Sequence, residues 1–323
     1  WSGYTFADQL ERVGAVTEWV LTDKGARSTG VDSLREVGVE KSLVDELEVR
    51  AQIDTCLSTF MGPWYESGKV HGGRFYARFN QVRQDYHGTE GKLVGAETGR
   101  LSMSPNMQNA PRGDKDARVP KVRDYIVPGP EVPRLKRRRA RGVKVYLVEN
   151  DVSQQELRLT AHFAGGDFLA AYQRDPTIDA HNLVKQMIYE KANIVLERRP
   201  VKDINFGVEY GMGLAKLALK LGVPTPEARK MMNAWKIAMH DVVDLRDALQ
   251  AMENDPTLPL YTWGGRKYFC EPAKYIEKLG RTMKFGYKML NLKIQGSAAD
   301  HTKQAMVNYD EAGHDDRWPV ILQ

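Results

Sequence analysis

Cysteine is almost missing from this sequence: two residues, Cys56 and Cys270, in 323. Neither lies in a Cys-x-x-Cys pair or a Cys/His cluster. A disulfide framework and a structural zinc site are therefore excluded as organising devices, and a reducing, intracellular compartment fits. Long apolar runs are also lacking, as is a signal-peptide pattern, so the expectation is a soluble protein with no membrane partner. No internal repeat is evident. Neither sign of charge dominates: 47 Lys+Arg stand against 42 Asp+Glu, a net charge of +5. That is a mild lean toward an anionic partner, and it does not separate a nucleic-acid binder from a slightly basic enzyme. The chain opens on Trp1 rather than Met and closes on "RWPVILQ", where Val320, Ile321 and Leu322 read as the start of a strand. Both ends read as cuts in a longer protein.

What is present is ordinary in bulk, with 42% hydrophobic and 28% charged residues, and long enough for two domains or one large domain with subdomains. Residues 1 to about 70 read as mostly helical. In "SLVDELEVRAQIDTCLSTFMGPW", Leu43, Leu47, Ile53, Leu57 and Phe60 share roughly one helix face, and Gly62-Pro63 reads as its stop. "RFYARF" alternates like a strand. A basic run follows, with Arg134, Lys136, Arg137, Arg138, Arg139 and Arg141 in one short segment, either a solvated loop or a phosphate-backbone contact. Val143, Val145 and Leu147 then alternate as a strand ending at Asp151, and "SQQELRLTAHFAG" reads as a helix. "RRPVKDINFGVEYGMGLAKLALKLGV" is a second helix, with Pro200 in its first turn, and "GSAADHTKQAMVNY" a third.

Four segments carry candidate chemistry. Asp151, at a strand end, suits a Mg²⁺ ligand, because Mg²⁺ takes hard oxygens from one or two carboxylates plus substrate phosphates. The competing reading is helix initiation, since Ser153-Gln-Gln-Glu156 matches a capping box. Arg198, Lys202, Phe206 and Tyr210 recur every four residues and share one helix face. Two cations at a helix start suit phosphates, and two rings further along suit a base or sugar, though a surface helix with core aromatics reads equally from the pattern. Gly207, Gly211 and Gly213 weigh against the plain helix, since each interior glycine costs about 1 kcal/mol unless a close approach compensates. In "ETGRLSMSPNMQNAPR", Arg100, Asn106, Gln108 and Asn109 suit minor-groove and phosphate contacts, or a structured surface loop. In "NLKIQGSAADHTKQAM", Asn291 and Gln295 stand four apart before a helix, suited to base edges or to turn chemistry.

Together these segments resemble the DNA polymerases of family A, the polymerase I type, in the right order over nearly the whole chain. "TGRLSMSPNMQN" looks like the palm-entry motif, "NDVSQQELRLTAH" like motif A, "RRPVKDINFGVEYGMG" like motif B on the fingers helix, "IQGSAAD" like the block before motif C, and "DAHNL" like a short family element. The resemblance implies an α+β, right-hand polymerase fold. Residues 1–70 would be a partial helical thumb and 71–178 a palm with an antiparallel sheet and motif A. Residues 179–275 would be helical fingers and 276–323 a palm continuation. It implies that Asp151, with the Val152 carbonyl, binds metal; that Glu156 excludes ribonucleotides; that Arg198, Lys202 and His181 face the triphosphate; and that Lys202 is the general acid toward pyrophosphate. Phe206 would stack on the incoming nucleotide and, being Phe rather than Tyr, discriminate against dideoxynucleotides. Tyr210 would hold the pocket opposite the template base, while Arg100, Asn106, Gln108, Asn109, Asn291 and Gln295 grip primer–template DNA. Two Mg²⁺ ions, dNTPs and DNA are the implied cofactors and partners.

Two departures stand out. The basic run lengthens the connection into motif A, and its flavour is viral or phage-like, which suggests the cytoplasm of an infected cell. The second aspartate of the metal pair, in a His-Asp-Glu motif C, is not seen. His314-Asp315-Asp316 is a decoy, lying in a polar loop before the apolar "PVILQ" rather than after an apolar strand. The expectation is that these 323 residues alone are inactive while the longer protein polymerises DNA. A catalytically silent DNA-binding relative and a single-subunit RNA polymerase on the same fold are the alternatives.

Overall fold

The computed structural model describes residues 3–22, 25–74, 76–81, 83, 95–111, 116–127, 141–142, 146, 148–209, 211–277 and 280–314. Tyr210, the basic residues Arg134–Arg139, residues 143–145 and 147 of the expected strand, and the segment from Asp315 onward lie outside the described residues. The chain divides into two compact units, Trp1–Phe79 with Met103–Glu149, and Asn80–Ser102 with Asn150–Gln323.

In the first unit, α1 (Gly3–Arg12), α2 (Val31–Glu36) and α3 (Lys41–Thr55), with the segments between them, supply a core of Leu10, Val16, Leu34, Val39 and Val44. A second cluster gathers Cys56, Phe60, Ala110, Val119 and Val122. The stop expected at Gly62-Pro63 is not there. The chain passes from α3 through a π-helical turn, Cys56–Met61, straight into α4 (Gly62–Val70). The wider turn lets the Gly62 N–H donate to the Leu57 carbonyl, and a Cβ at Gly62 would lie 2.9 Å from that oxygen. Pro63 then falls in the opening turn of α4, where a missing N–H costs nothing. Cys56 is buried and behaves as a small apolar residue; burial pushes its thiol pKa up.

The second unit is mostly helical: α5 (Gln155–Ala164), α6 (Gly166–Arg174), α7 (Ala180–Ala192), α8 (Arg198–Glu209), α9 (Leu214–Leu221), α10 (Thr225–Ala238) and α11 (His240–Gln250). Their apolar stripes meet in one core that includes Leu157, Phe168, Ile188, Ile204, Leu217 and Trp235. The single long helix expected over 198–223 is in fact two. Gly211 has φ +66°, Met212 N–H donates back to the Gly207 carbonyl at 2.7 Å, and Gly213 is the N-cap of α9. Two of the three glycines are thus turn residues, and only Gly207 sits inside a helix. There a Cβ would meet Met212 and Leu217 at 3.5–3.6 Å, an ordinary contact.

Short strands complete the chain. β1 (Arg78–Asn80) pairs with β2 (Ser102–Ser104). Two antiparallel hairpins follow, β3 (Leu260–Tyr261) with β4 (Lys267–Tyr268) and β5 (Lys274–Ile276) with β6 (Arg281–Met283). The last helix, α12 (Met289–Glu311), starts earlier than expected, so Asn291 and Gln295 lie within it and not before it. The reason is that Met289, Leu290, Leu292 and Ile294 are all buried, which extends the helix into a segment that reads as polar turn. The architecture is α+β, with helices dominant and each described sheet two-stranded. Among the described residues no helix is long and apolar enough to cross a membrane.

Candidate nucleotide and nucleic-acid site

Asp151 is exposed, as is Val152 at 47%. Two residues later Gln154 adopts the left-handed conformation, φ 55° and ψ 37°. For a non-glycine residue that is unfavourable by about 1–2 kcal/mol. Its side chain explains how it is held. Gln154 Oε1 accepts from the Ala180 N–H at 2.8 Å and the Tyr172 hydroxyl at 3.2 Å, and Nε2 donates to Asp179 Oδ2 at 3.4 Å. The N-cap of α5 is therefore Gln154, without a side-chain cap bond, and the Ser153–Glu156 capping box expected from sequence does not start this helix. Glu156, mostly buried, instead pairs with Arg100 at 3.2 Å. Next to it, Gln155 Nε2 donates to the Ala298 carbonyl at 3.2 Å and Thr302 Oγ1 at 3.1 Å, tying α5 to α12.

Arg198 opens α8, and its Nη2 meets Asp179 Oδ2 at 2.7 Å. Asp179 is also the N-cap of α7, its Oδ1 accepting from the Asn182 N–H at 2.9 Å. The hydrogen bond from Arg198 holds the Asp179 carboxyl below the usual carboxylate range, with burial opposing. Gln154, Asp179 and Arg198 thus form a continuous chain of contacts from the Asp151 turn to the start of α8. Further along α8, Lys202 is exposed, with its ammonium 6.0 Å from the centroid of the Phe206 ring. Phe206 lies 5.8 Å from the His181 ring, centroid to centroid.

His181 is 5% exposed, and its Nδ1 is 3.0 Å from Asn205 Nδ2. Asn205 is 1% exposed and accepts on Oδ1 from Trp235 Nε1 at 2.6 Å. Burial pushes the His181 imidazole below its ordinary pKa; Asp179 opposes this, and Arg198 and Lys202 add to it.

Arg100 owes its place to the residue before it. Gly99 has φ +75°, and the Arg266 guanidinium occupies the space a Cβ would take. Arg266 donates to the Thr98 carbonyl at 3.1 Å and pairs with Asp300 on α12. In the first unit, Asn106 and Asn109 make a turn, Asn106 Oδ1 accepting from the Asn109 N–H at 3.2 Å. Trp64 Nε1 donates to the Asn106 carbonyl at 3.1 Å, and Gln108 is half-buried in the same turn. Asn291 and Gln295 are half-buried on α12.

The second unit therefore brings together the Asp151 turn, Glu156 with Arg100, and the cluster of Arg198, Lys202, Phe206 and His181. Sequence reasoning missed Gln154, Asn205, Trp235, Arg266 and Asp300. Asp179 was visible only as part of "DAHNL", and Asn205 only as the neighbour of Phe206. Among the described residues no group of three or more His, Cys, Asp or Glu could hold a metal alone. A single exposed carboxylate beside an exposed main-chain turn still fits Mg²⁺, which binds through one or two carboxylates plus water and substrate phosphate.

The family model described as DNA polymerase family A matches residues 7–323. A DNA-directed DNA polymerase of Pseudomonas phage M6 is 26% identical, matching 100% of this chain and 50% of the phage protein. The thermostable DNA polymerase I of Thermus aquaticus is 28% identical over 93% of this chain and 34% of its own length. DNA polymerase I of Pseudomonas aeruginosa is 32% identical over 76% of this chain and 25% of its own length. The chain spans half or less of each of these relatives. Among solved structures, the POL domain of Pol1 from M. smegmatis, in complex with DNA primer-template and dNTP, is 24% identical. It superposes with a TM-score of 0.63 over 96% of this chain and 51% of that one, a likeness of fold.

Proposed function

The chain belongs to DNA polymerase family A, and from that premise we propose that it carries the nucleotide-binding surface and part of the catalytic surface of a template-directed DNA polymerase. The observation that supports this best is the α8 cluster. Arg198 and Lys202 stand at the start of the helix, Phe206 follows on the same face, and His181 packs beside it. Arg198 and Lys202 bind the triphosphate, Phe206 stacks on the base, and Tyr210, outside the described residues, has the role of holding the pocket opposite the template base. Glu156 closes the sugar pocket against a 2′-hydroxyl. Arg100, Asn291 and Gln295, with Asn106, Gln108 and Asn109, grip primer–template DNA. Residues 1–70 serve as thumb, 71–178 and 276–323 as palm, and 179–275 as fingers.

Asp151 and the Val152 carbonyl would hold a divalent cation. When bound, such an ion supplies positive charge to the transferring phosphoryl group and lowers the pKa of the attacking hydroxyl. The chain's own residues do the rest. Arg198 and Lys202 neutralise charge on the phosphates, and Lys202 delivers a proton to the departing pyrophosphate. Asp179 holds Arg198 in place before nucleotide arrives, so part of the ordering cost is met in advance.

The test is primer extension, with Mg²⁺ and all four dNTPs, by a polypeptide carrying this chain together with a motif C. Asp151→Asn lowers kcat by about 1,000-fold, since a metal-held transition state is worth several kcal/mol, while primer–template affinity changes little. Extension that survives Asp151→Asn overturns the reading. Binding without extension in the unmutated protein favours a silent DNA-binding relative.

A further inference from the structure

We propose that Asn205 and Trp235 are positioning residues that lock His181 as a neutral imidazole with its proton on Nε2, making it a fixed hydrogen-bond donor. Donors and acceptors can be assigned one after another from the indole. An indole nitrogen can only donate. Trp235 Nε1 lies 2.6 Å from one atom of the Asn205 amide, so that atom is the carbonyl oxygen. The amide NH₂ is then the group 3.0 Å from His181 Nδ1. An NH₂ donates, so Nδ1 must accept and cannot carry a proton. In a neutral imidazole the proton is left on Nε2.

Burial makes this arrangement stiff. Asn205 is 1%, Trp235 2% and His181 5% exposed. Reversing the amide would set NH₂ against N–H at Trp235 and break that buried hydrogen bond, even with His181 shifted to the other tautomer, so Trp235 is what fixes the orientation. The surroundings also disfavour a second proton. His181 lies in the first turn of α7, where the helix dipole is positive, and Arg198 and Lys202 face it, against Asp179 alone. Among the described residues Nε2 has no hydrogen-bond partner, so its N–H is available. Asn205 and Phe206 are adjacent on α8, and both touch His181, one by hydrogen bond and one by its ring.

What Nε2–H donates to rests on the polymerase reading: an oxygen of the bound nucleotide's triphosphate. The relay itself does not depend on that reading, and the experiment separates the two. Long-range ¹H–¹⁵N correlation spectra are recorded on this chain with ¹⁵N-labelled histidine, and the His181 signals are identified by their loss in His181→Gln. The expected result at neutral pH is a pyridine-like Nδ1 and a pyrrole-like Nε2. Asn205→Asp puts a carboxylate opposite Nδ1, which must then acquire a proton, so its pyridine-like signal disappears. Trp235→Phe removes the donor that orients the amide, and a mixture of tautomers appears. An Nδ1–H tautomer in the unmutated chain overturns the relay, as does a pyridine-like Nδ1 that persists in Asn205→Asp. The unmutated spectrum decides even where a variant fails to fold. A dideoxy-terminated primer–template is then added with dATP opposite template dT. An Nε2 shift supports phosphate donation. An unmoved Nε2 with the tautomer intact overturns the assignment of its acceptor and leaves the relay standing.

Discussion

Gln154 shows how one residue can carry strain for several neighbours. Its left-handed backbone is unfavourable, and three side-chain hydrogen bonds, to Ala180, Tyr172 and Asp179, hold it there. Gln154→Ala removes those bonds and keeps the strain. It is expected to destabilise the protein by about 2–3 kcal/mol. Gln154→Gly removes the bonds and relieves the strain, so it should cost about 1 kcal/mol less. Chemical denaturation of the two variants gives the comparison, and equal losses would mean the backbone there is unstrained. Glu156 poses a different question, because it pairs with Arg100 as well as lying in the first turn of α5. If it guards the sugar pocket, Glu156→Ala raises ribonucleotide incorporation relative to dNTP by about 100-fold, the discrimination that roughly 3 kcal/mol allows. An unchanged ratio would leave it as the partner of Arg100 alone.

Among the elements, two glycines decide where chain segments pass. Gly62 admits the π turn between α3 and α4, and Gly99 admits the Arg266 guanidinium beside Thr98. Gly99→Ala displaces Arg266 and so disturbs its bonds to Thr98 and Asp300. The expected cost is about 1–3 kcal/mol from overpacking, more if the positive φ is also given up. Arg266→Ala removes the same bonds. The double variant should therefore cost less than the two single losses added together, because both act on one network. Thermal unfolding of all three proteins measures the coupling, and simple additivity would mean that Gly99 matters only for its backbone angle.

At the scale of the whole molecule the proposed task is gripping a polyanion. The net charge of +5 is small, so position matters more than total. Arg137, Arg138 and Arg139 lie outside the described residues, and their role can be read from salt dependence. Replacing all three by Ala makes the slope of log K against log salt shallower by about 0.9 for each duplex phosphate that is no longer neutralised. DNA binding measured across a salt series gives the slope, and an unchanged slope makes the basic run a passive loop.

The order of motifs along the chain was enough to indicate the α+β polymerase fold and the family, and the spacing of Arg198, Lys202 and Phe206 was enough to put them on one helix face. That follows because spaced residue types on a helix, such as Arg198, Lys202 and Phe206, share a face whatever the rest of the molecule does. Local chemistry was a poorer guide to where helices begin and end. Gly62-Pro63 reads as a stop and is a through-passage, the 198–223 helix reads as one and is two, and Ser153–Glu156 reads as a capping box and is not one. At two of these a distant partner outweighed the local preference, the second core cluster around Cys56 and Phe60 and the pull of Asp179 and Ala180 on Gln154, while the break in the 198–223 helix is local, made by the positive φ of Gly211 and the cap at Gly213. Asn205, Trp235, Arg266 and Asp300 could be assigned only from the tertiary structure. Their meaning lies in hydrogen bonds across 24 to 168 residues of sequence, between groups that burial alone brings together.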